Sequence, residues 1–211
     1  VKAGATGDNC IALSIDPAIG NAEGYMLVVD RSGMRLTGGS AAGVFYGVQT
    51  IRKSVPDITA EPVVFPAVKI DDYPRFAYRG AHLDPCRHFF PFDSIKKYID
   101  ILALHNMNKF HFHLTEDQGW RFESKKYPLL TKIGSLRDST QIHAGKGWDS
   151  TTYDPTPYGG FYTRKQLREL VKYAAAHHID IIPEVDLPGH MLAALASYPE
   201  LGCTGGPYKG W

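Results

Sequence analysis

Residues 110 to 121, FHFHLTEDQGWR, place two histidines, two acids and an arginine beside three aromatic side chains. A His-x-His pair at the end of a strand is typical of metal-dependent hydrolases, because two imidazoles on one face can share a zinc ion. Alternation puts His111 and His113 on one face of the strand, and His190 or Asp186 could supply the third ligand that zinc needs. The alternative is that both histidines are hydrogen-bonded inside a barrel. The motif alone leaves both interpretations open.

A second group, LDPCRHFF at residues 83–90, contains Arg87 and His88 just beyond a short strand. An arginine fork beside aromatic rings suits the binding of neighbouring hydroxyls or of a carboxylate. A surface arginine that pairs with Asp84 would explain the same residues, and such a pair adds little stability when exposed. The motif alone is equally consistent with a binding site and with a surface ion pair.

A third group, PEVDLPGH at residues 183–190, points Glu184 and Asp186 in the same direction and places His190 after a short Pro-Gly turn. A histidine close to carboxylates can relay or fix protons. Asp186 could instead cap a helix, which would still leave a functional role for His190. Pro183 cannot donate a ladder hydrogen bond, so we expect the strand to end or bulge there.

Alternating strands and helices must position these three groups. YRGAHLD, KFHFHLT and IDIIPEVD have the composition of strands, and two segments with helical spacing separate them. Asp93 is placed as the N-cap of the first helix, and Thr163 with Gln166 forms a capping box before the second. Strands joined by such helices imply a parallel sheet. All three polar groups then follow the carboxyl ends of strands, where ligands bind in α/β sheets and barrels.

The residues before these units predict a different kind of domain. Residues 1–74 read as strands and one helix, a small α+β domain, with Pro74 close to its boundary. Residues 75–211 are predicted to be the N-terminal part of a (β/α)8 TIM barrel. A complete barrel typically takes about 250 residues, whereas only three strand–helix units can be counted here, so the chain is expected to be cut short. A small open sheet is the alternative.

Composition excludes several other classes of protein. The 23 Lys and Arg residues balance 22 Asp and Glu residues, giving a net charge of +1, and no dense basic stripe marks a nucleic-acid partner. Three scattered cysteines are too few for a disulfide framework or a zinc cage. No apolar run approaches the roughly 20 residues that a membrane span needs.

Several long motifs in order resemble glycoside hydrolase family 20, which contains the β-N-acetylhexosaminidases. They are RGAHLDPCRHFFP, NKFHFHLTEDQGWRFESKKYPLLTKIGS and GGFYTRKQLRELVKYAAAHHIDIIPEVDLPGHMLAALASYPELGC. The resemblance runs from about Gly24 to Trp211, since EGYMLVVDRSGMRLTGGSAAGVFYGVQTI is similar to the small α+β domain that precedes the catalytic barrel in that family.

The resemblance implies an eight-stranded barrel, no cofactor and no metal, and a pocket for a terminal N-acetylglucosamine or N-acetylgalactosamine. The implied chemistry is substrate-assisted. The acetamido oxygen of the sugar attacks the anomeric carbon while a glutamic acid protonates the leaving oxygen, and an aspartate just before that glutamate orients the acetamido group.

Carried to this sequence, the resemblance implies that Arg87 binds ring hydroxyls of the sugar. Asp117 would match the acid of the DQGW motif and His190 the histidine of PGH, both tuning the protonation of the catalytic glutamate. Glu116 stands where many members have a second aspartate. The residues expected to support these groups from behind are His88, Glu184 and Asp186, and those expected to line the pocket or pack are His111, His113 and Trp120.

The family's Asp-Glu pair is absent, because nowhere in the 211 residues is Asp followed directly by Glu. We therefore expect an N-terminal portion of a larger hydrolase that is inactive alone. Two other functions stay open: a metal-dependent barrel hydrolase that uses His111 and His113, and a carbohydrate-binding protein without catalysis.

The expected partner is a carbohydrate, either a glycan or a chitin-type oligosaccharide, with no nucleic acid and no membrane span. Unpaired strand edges of an incomplete barrel predict self-association. A secreted, periplasmic or cell-surface location is favoured by what such enzymes digest, and the choice between the two N-acetylhexosamines stays open.

Overall fold

The computed structural model describes residues 10–55, 63–142 and 152–210. The chain folds into two compact units: one runs to Arg79 and includes residues 100–108 and 177–179, and the other contains the remainder. The fold class predicted from the sequence, a small α+β part followed by parallel strand–helix units, is confirmed.

The first unit is built on a four-stranded sheet. Its strands are β1 (Ile11–Ile15), β2 (Tyr25–Asp30), β3 (Gly33–Gly38) and β4 (Val68–Asp72). They lie in the order β1-β3-β2-β4, with β1 parallel to β3 and the other pairs antiparallel. A short 3-10 turn, Pro17–Ile19, follows β1.

Helix α1 (Ala41–Lys53) packs on this sheet, and the hydrophobic core of the unit lies between the two. It begins where the Ser40 hydroxyl accepts a hydrogen bond from the amide of Ala42, at 3.1 Å. Leu36 and Tyr46 are almost fully buried between helix and sheet, and burial of one such side chain stabilises the fold by about 1.5–3 kcal/mol. A Cβ on Gly47 would lie only 2.3 Å from Leu36 Cδ1, so the glycine allows the close packing of helix on sheet.

The second unit contains the remaining strands and helices. The strands are β5 (Gly80–Leu83), β6 (Lys109–His113), β7 (Thr115–Glu116), β8 (Gly119–Trp120), β9 (Leu136–Arg137), β10 (Thr140–Gln141), β11 (Tyr153–Asp154), β12 (Tyr158–Gly159) and β13 (Asp180–Glu184). The helices are α2 (Phe92–Leu104), whose last turn falls in the first unit, α3 (Leu129–Lys132), α4 (Arg164–Ala176) and α5 (Leu192–Ser197).

Three parallel strands, in the order β5-β6-β13, form the central sheet of this unit. Helix α2 connects β5 to β6, and α4 precedes β13. Phe110 and Phe112 are buried on one face of β6, and His111 and His113 lie on the other, as alternation predicted. The carboxyl ends of the three strands therefore lie side by side.

The two predicted helix starts differ in outcome. The capping box before α4 is confirmed: the Thr163 amide donates to Gln166 Oε1 at 2.9 Å, and the Gln166 amide donates to Thr163 Oγ1 at 3.2 Å. The N-cap role of Asp93 is wrong, because α2 already begins at Phe92 and the amide of Ser94 bonds to the carbonyl of Pro91. Asp93 lies in the first turn, where a carboxylate is still favourable near the positive end of the helix.

The expectation that the strand ends or bulges at Pro183 is also wrong. β13 continues through Pro183, which pairs in register with Phe112, and the Leu114 amide donates to the Glu184 carbonyl at 3.1 Å. Among the described residues β13 has a partner on one side only, so the nitrogen of Pro183 can face its open edge. An edge strand tolerates proline because no ladder hydrogen bond is lost there.

The long segment between β6 and α4 forms short paired strands and a small core of its own. β7 pairs with β8, β9 with β12 and β10 with β11. Trp120 is 9% exposed and packs with Leu130, Ala193 and Phe122, which makes it a packing residue. Among the helices that the structure describes, none has the length and apolar character needed to cross a bilayer.

Candidate active site

The three polar groups found in the sequence follow the carboxyl ends of β5, β6 and β13, and the structure brings one residue of each together. Arg87 comes from the loop after β5, Glu116 from the hairpin after β6, and His190 from the loop after β13. Parallel strands deliver these loops to one edge of the sheet, as is usual for ligand sites in α/β folds.

Glu116 is the centre of this cluster. Its side chain is 2% exposed, and Oε1 lies 3.1 Å from Arg87 Nη2 and 2.5 Å from His190 Nδ1. The other oxygen, Oε2, lies 3.0 Å from His113 Nε2. A carboxylate so far removed from water is stable only when such partners compensate its charge. Glu116 therefore couples a surface arginine to two imidazoles.

Arg87 is held on both sides but stays accessible. Its Nη1 pairs with the Asp84 carboxylate, while its side chain remains 44% exposed. Asp84 Oδ1 also accepts the amides of Cys86 and Arg87, at 2.8 and 3.1 Å. Burial acts to raise the pKa of Asp84, but these hydrogen bonds, led by the Arg87 side chain, lower it below its usual value. Arg87 thus forms both the ion pair with Asp84 and the contact with the buried carboxylate of Glu116.

His190 contacts Glu116 more closely than Asp117. Its Nδ1 lies 3.9 Å from Asp117 Oδ2, and Asp117 Oδ1 instead accepts the amide of Leu192 at 2.9 Å, which caps α5. His190 has φ 54°, in the left-handed region, and its side chain is 52% exposed. The sequence analysis paired Asp117 with His190, whereas in the structure the adjacent residue, Glu116, makes the closer contact.

The contacts described for two of the expected supporting residues, Asp186 and His88, are with residues outside the Glu116 cluster. Asp186 does not cap the first turn of α5, because Asp117 does so; its amide donates to Thr115 Oγ1 at 2.8 Å. His88 is exposed, with its ring 5.7 Å from that of Tyr158.

Glu184 anchors both histidines of the HFH motif. Its Oε2 lies 2.5 Å from His111 Nε2 and 2.8 Å from His113 Nδ1. The short contact with His113 is the main cause of a lowered pKa for Glu184. Burial opposes the charged form of His113, but its contacts with Glu184 and Glu116 raise its pKa above the usual value. Carboxylates and imidazoles thus alternate from Glu184 through His113 and Glu116 to His190.

The described residues contain three sets of side chains that could converge on a metal ion. They are His82, His113 and Glu184; Asp84, Cys86 and His113; and Glu116, Asp117 and His190. His113 or Glu116 belongs to each set, and both already pair with oppositely charged or hydrogen-bonding groups. A metal would therefore have to displace these pairs.

Two residues to which the sequence analysis assigned no role are central to this geometry. Glu116 rather than Asp117 faces the cluster, a choice made by the orientation of the β7–β8 hairpin, which adjacent acids do not reveal. Arg121 is fully buried beneath the Arg87 loop. Its only sequence signal was a charge directly after Gly119 and Trp120, in a segment that otherwise packs.

Comparison with known proteins gives the relationships of the chain. Residues 76–210 match the family model described as "Glycosyl hydrolase family 20, catalytic domain", and residues 1–73 match "Glycosyl hydrolase family 20, domain 2". The chain is 45% identical over 208 residues to a "Beta-hexosaminidase" of Porphyromonas gingivalis, an alignment that covers 95% of this chain and 25% of that protein.

Solved structures agree with these matches. A GH20 β-N-acetylhexosaminidase from Streptomyces coelicolor superposes with a TM-score of 0.83 at 39% identity, over 98% of this chain and 40% of that one. A GH20 exo β-N-acetylglucosaminidase from Vibrio harveyi, in complex with N-acetylglucosamine, gives 0.78 at 36% identity, over 90% and 29%. The chain spans 25% to 40% of the length of these three relatives.

Proposed function

This chain belongs to glycoside hydrolase family 20, and from that premise we propose that the protein removes terminal β-linked N-acetylhexosamine from carbohydrates. The observation that carries the proposal is the cluster of Arg87, Glu116 and His190 at the carboxyl ends of three parallel strands. The proposed domain organisation is a small α+β domain at residues 1–74, followed by the first part of a TIM-barrel catalytic domain at 75–211.

Arg87 is proposed to bind ring hydroxyls of the terminal sugar. A guanidinium has five N–H groups, and the pairs with Asp84 and Glu116 fix its plane without using all of them. Because the side chain is partly exposed, a sugar can reach the remaining donors. Two carboxylates behind an arginine also hold it in place before the sugar arrives, which reduces the entropy that binding would cost.

His190 is proposed to tune the proton of a catalytic glutamic acid. Contact between its Nδ1 and Glu116 favours the tautomer with a proton on that nitrogen, so Nε2 is the atom left to face a reacting group. Asp117, proposed from the sequence for the same task, supports His190 from 3.9 Å and through the start of α5. Glu184 and Asp186 are proposed as supports behind this pair.

The proposed reaction is substrate-assisted, with the sugar's acetamido oxygen as the nucleophile and retention at the anomeric carbon. An internal nucleophile can lower the barrier by as much as about 7–11 kcal/mol when it is well oriented. The acid and the orienting aspartate of this scheme form an Asp-Glu pair, and the 211 residues contain none. We therefore propose that the 211-residue chain alone is inactive.

The test is release of nitrophenol from an aryl β-N-acetylglucosaminide. The 211-residue chain is compared with the product of the whole reading frame that encodes it, each with and without a chelator. We expect turnover by the longer protein only, unaffected by the chelator. Turnover by the 211-residue chain that survives Glu116→Gln and Asp117→Asn would contradict the proposal.

Other outcomes of that assay separate the competing functions. Loss of turnover with the chelator, together with stoichiometric zinc, would support the metal-dependent hydrolase that uses His111 and His113. Sugar binding by the longer protein without any hydrolysis would support a carbohydrate-binding protein.

We also propose that the 211-residue chain self-associates through a strand edge. Among the described residues β5 and β13 each pair on one side only. Proline blunts the edge of β13, because Pro183 offers no N–H to a neighbouring chain, so β5 is the more favourable edge. Sedimentation velocity should show mass rising with concentration, and a single monomeric species at all concentrations would contradict this.

A further inference from the structure

Arg121 carries the most deeply buried guanidinium in the part of the chain that the structure describes, at 0% exposure. Each hydrogen bond described for this guanidinium ends on a backbone carbonyl: Nε donates to Pro85 at 2.9 Å, and Nη2 to Cys86 at 2.5 Å. Nη1 donates to Ser135 at 2.8 Å and to Gly160 at 2.9 Å. One side chain therefore ties together three separate segments of backbone.

The space around this guanidinium is shaped to admit it. A Cβ on Gly119 would lie 2.3 Å from Arg121 Cζ, so any larger residue there would displace the arginine. The ring of Phe89 covers the guanidinium, with its centroid 5.7 Å from Cζ. Burial lowers the pKa of Arg121, and the carbonyl oxygens must offset the loss of water around its charge. Such a costly arrangement is more than a space-filling contact.

The two carbonyls held by Nε and Nη2 belong to the residues directly before Arg87. Asp84 holds the same turn from the other side, through the amides of Cys86 and Arg87. Because the Arg87 side chain is 44% exposed, little packing fixes it. The direction of its guanidinium then depends on the ion pairs with Asp84 and Glu116 and on the backbone that Arg121 and Asp84 hold in place beneath them.

We propose that Arg121 is a positioning residue for sugar recognition, which fixes the backbone beneath Arg87 so that its guanidinium meets the sugar hydroxyls in one orientation. The inference rests on the proposed sugar-binding role of Arg87. A lysine cannot replace Arg121, because a single ammonium group cannot reach carbonyls on three segments at once.

The first test needs no activity. Amide hydrogen exchange is measured on the 211-residue chain for Cys86 and Arg87 in wild type, Arg121→Lys and the control Arg137→Lys. Arg137 is also buried, but its guanidinium donates to Thr140 and Gln118. We expect the two amides to exchange at least about tenfold faster in Arg121→Lys and to be unchanged in the control. Unchanged exchange in Arg121→Lys would overturn the proposal.

Should Arg121→Lys fail to fold, Gly119→Ala provides a second variant, since the added methyl displaces the guanidinium but keeps its charge. It should accelerate exchange of the same two amides. Normal exchange in a folded Gly119→Ala chain would equally overturn the proposal.

The second test separates positioning from stability in the product of the whole reading frame. Arg121→Lys should raise KM for the aryl glycoside about tenfold or more, because a small misplacement of a binding group is costly. The same substitution in an Arg87→Ala background should add little. An unchanged KM with a lower concentration of active enzyme, or equal effects in both backgrounds, would mean that Arg121 acts on stability alone. Absence of turnover in the product of the whole reading frame would contradict the proposed function. Amide hydrogen exchange of Cys86 and Arg87 would still decide whether Arg121 holds this backbone.

Discussion

Two glutamate–arginine pairs in this molecule differ in how far each arginine is exposed to solvent. In the first unit Glu23 faces Arg79, with side chains 27% and 14% exposed. In the second, Glu116 is 2% exposed, whereas its partner Arg87 is 44% exposed. The first pair thus turns both members inward, and the second presents its arginine to solvent.

The other partners of the two glutamates differ more than the arginines do. Glu23 also accepts hydrogen bonds from the Tyr46 hydroxyl at 3.0 Å and the Asn108 amide at 3.4 Å, neither of which changes charge near neutral pH. The pKa of Tyr46 is in fact raised to about 12, mainly by burial. Glu116 instead contacts two imidazoles, His113 and His190. Of the two glutamates, Glu116 is therefore the one whose contacts include side chains that can change charge near neutral pH.

The largest expected effect is a difference in kcat/KM when each of the two glutamates is replaced by glutamine. Glu116→Gln leaves Arg87 and two imidazoles facing a neutral amide, so kcat/KM of the whole-reading-frame protein should fall on the order of a hundredfold. Glu23→Gln should leave kcat/KM per folded molecule unchanged. Initial rates with the aryl glycoside check both, and equal losses in the two variants would remove the distinction.

The next effect is a loss of stability, which we expect from substitution of Glu23 in the first unit. Glu23→Gln replaces a carboxylate that accepts two bonds from Arg79, and it should lower the free energy of unfolding by about 1.5–3 kcal/mol. Asp30→Asn alters the exposed pair with Arg35 and serves as the control, with no measurable change expected. Urea unfolding of the 211-residue chain measures both, and an unaffected Glu23→Gln chain would show that the first pair is not structural.

The smallest effect is a loss of stability above pH 6.5, which His113 of the second unit should cause. His113 binds its proton more tightly in the folded protein, so its contribution is complete below the unfolded pKa of 6.5 and is lost as the pH rises through the raised folded pKa. The pKa of His82 is instead lowered by burial. Its contribution to stability is therefore lost as the pH falls below 6.5, and it does not affect stability at higher pH. Stability should therefore decline above pH 6.5.

His113→Asn should remove that decline, and His105→Asn, an exposed histidine in another part of the chain, should not. Unfolding free energies at a series of pH values on both sides of 6.5 supply the comparison. A decline that persists in His113→Asn would assign it to another group.

Periodic features of the sequence predicted the fold, whereas features decided by partners distant in sequence were missed. Alternation and capping residues such as Thr163 and Gln166 act within a few positions, so the elements and the edge that carries the site followed from them. The cap of α5 comes instead from Asp117, 75 positions before the amide it accepts, whereas capping by the nearer Asp186 was the alternative that the sequence left open.

The sequence predicted which loops form the candidate site but not which side chains contact each other there. Arg87 and His190 were named from the sequence, and the structure brings them to the same carboxylate. Which of the adjacent acids turns inward depends on a two-residue strand pairing, and no local pattern distinguishes Glu116 from Asp117. The burial of Arg121 was equally invisible, because its ligands are carbonyl groups, which carry no sequence identity.

We propose that Glu116, rather than Asp117, holds His190 in place. Nitrogen NMR of the His190 imidazole in the 211-residue chain tests it directly, by comparing the wild type with Glu116→Gln and Asp117→Asn. We expect a proton on Nδ1 in the wild type, a changed tautomer in Glu116→Gln, and little change in Asp117→Asn. A response to Asp117→Asn with none to Glu116→Gln would contradict it and return the role to the residue that the sequence had indicated.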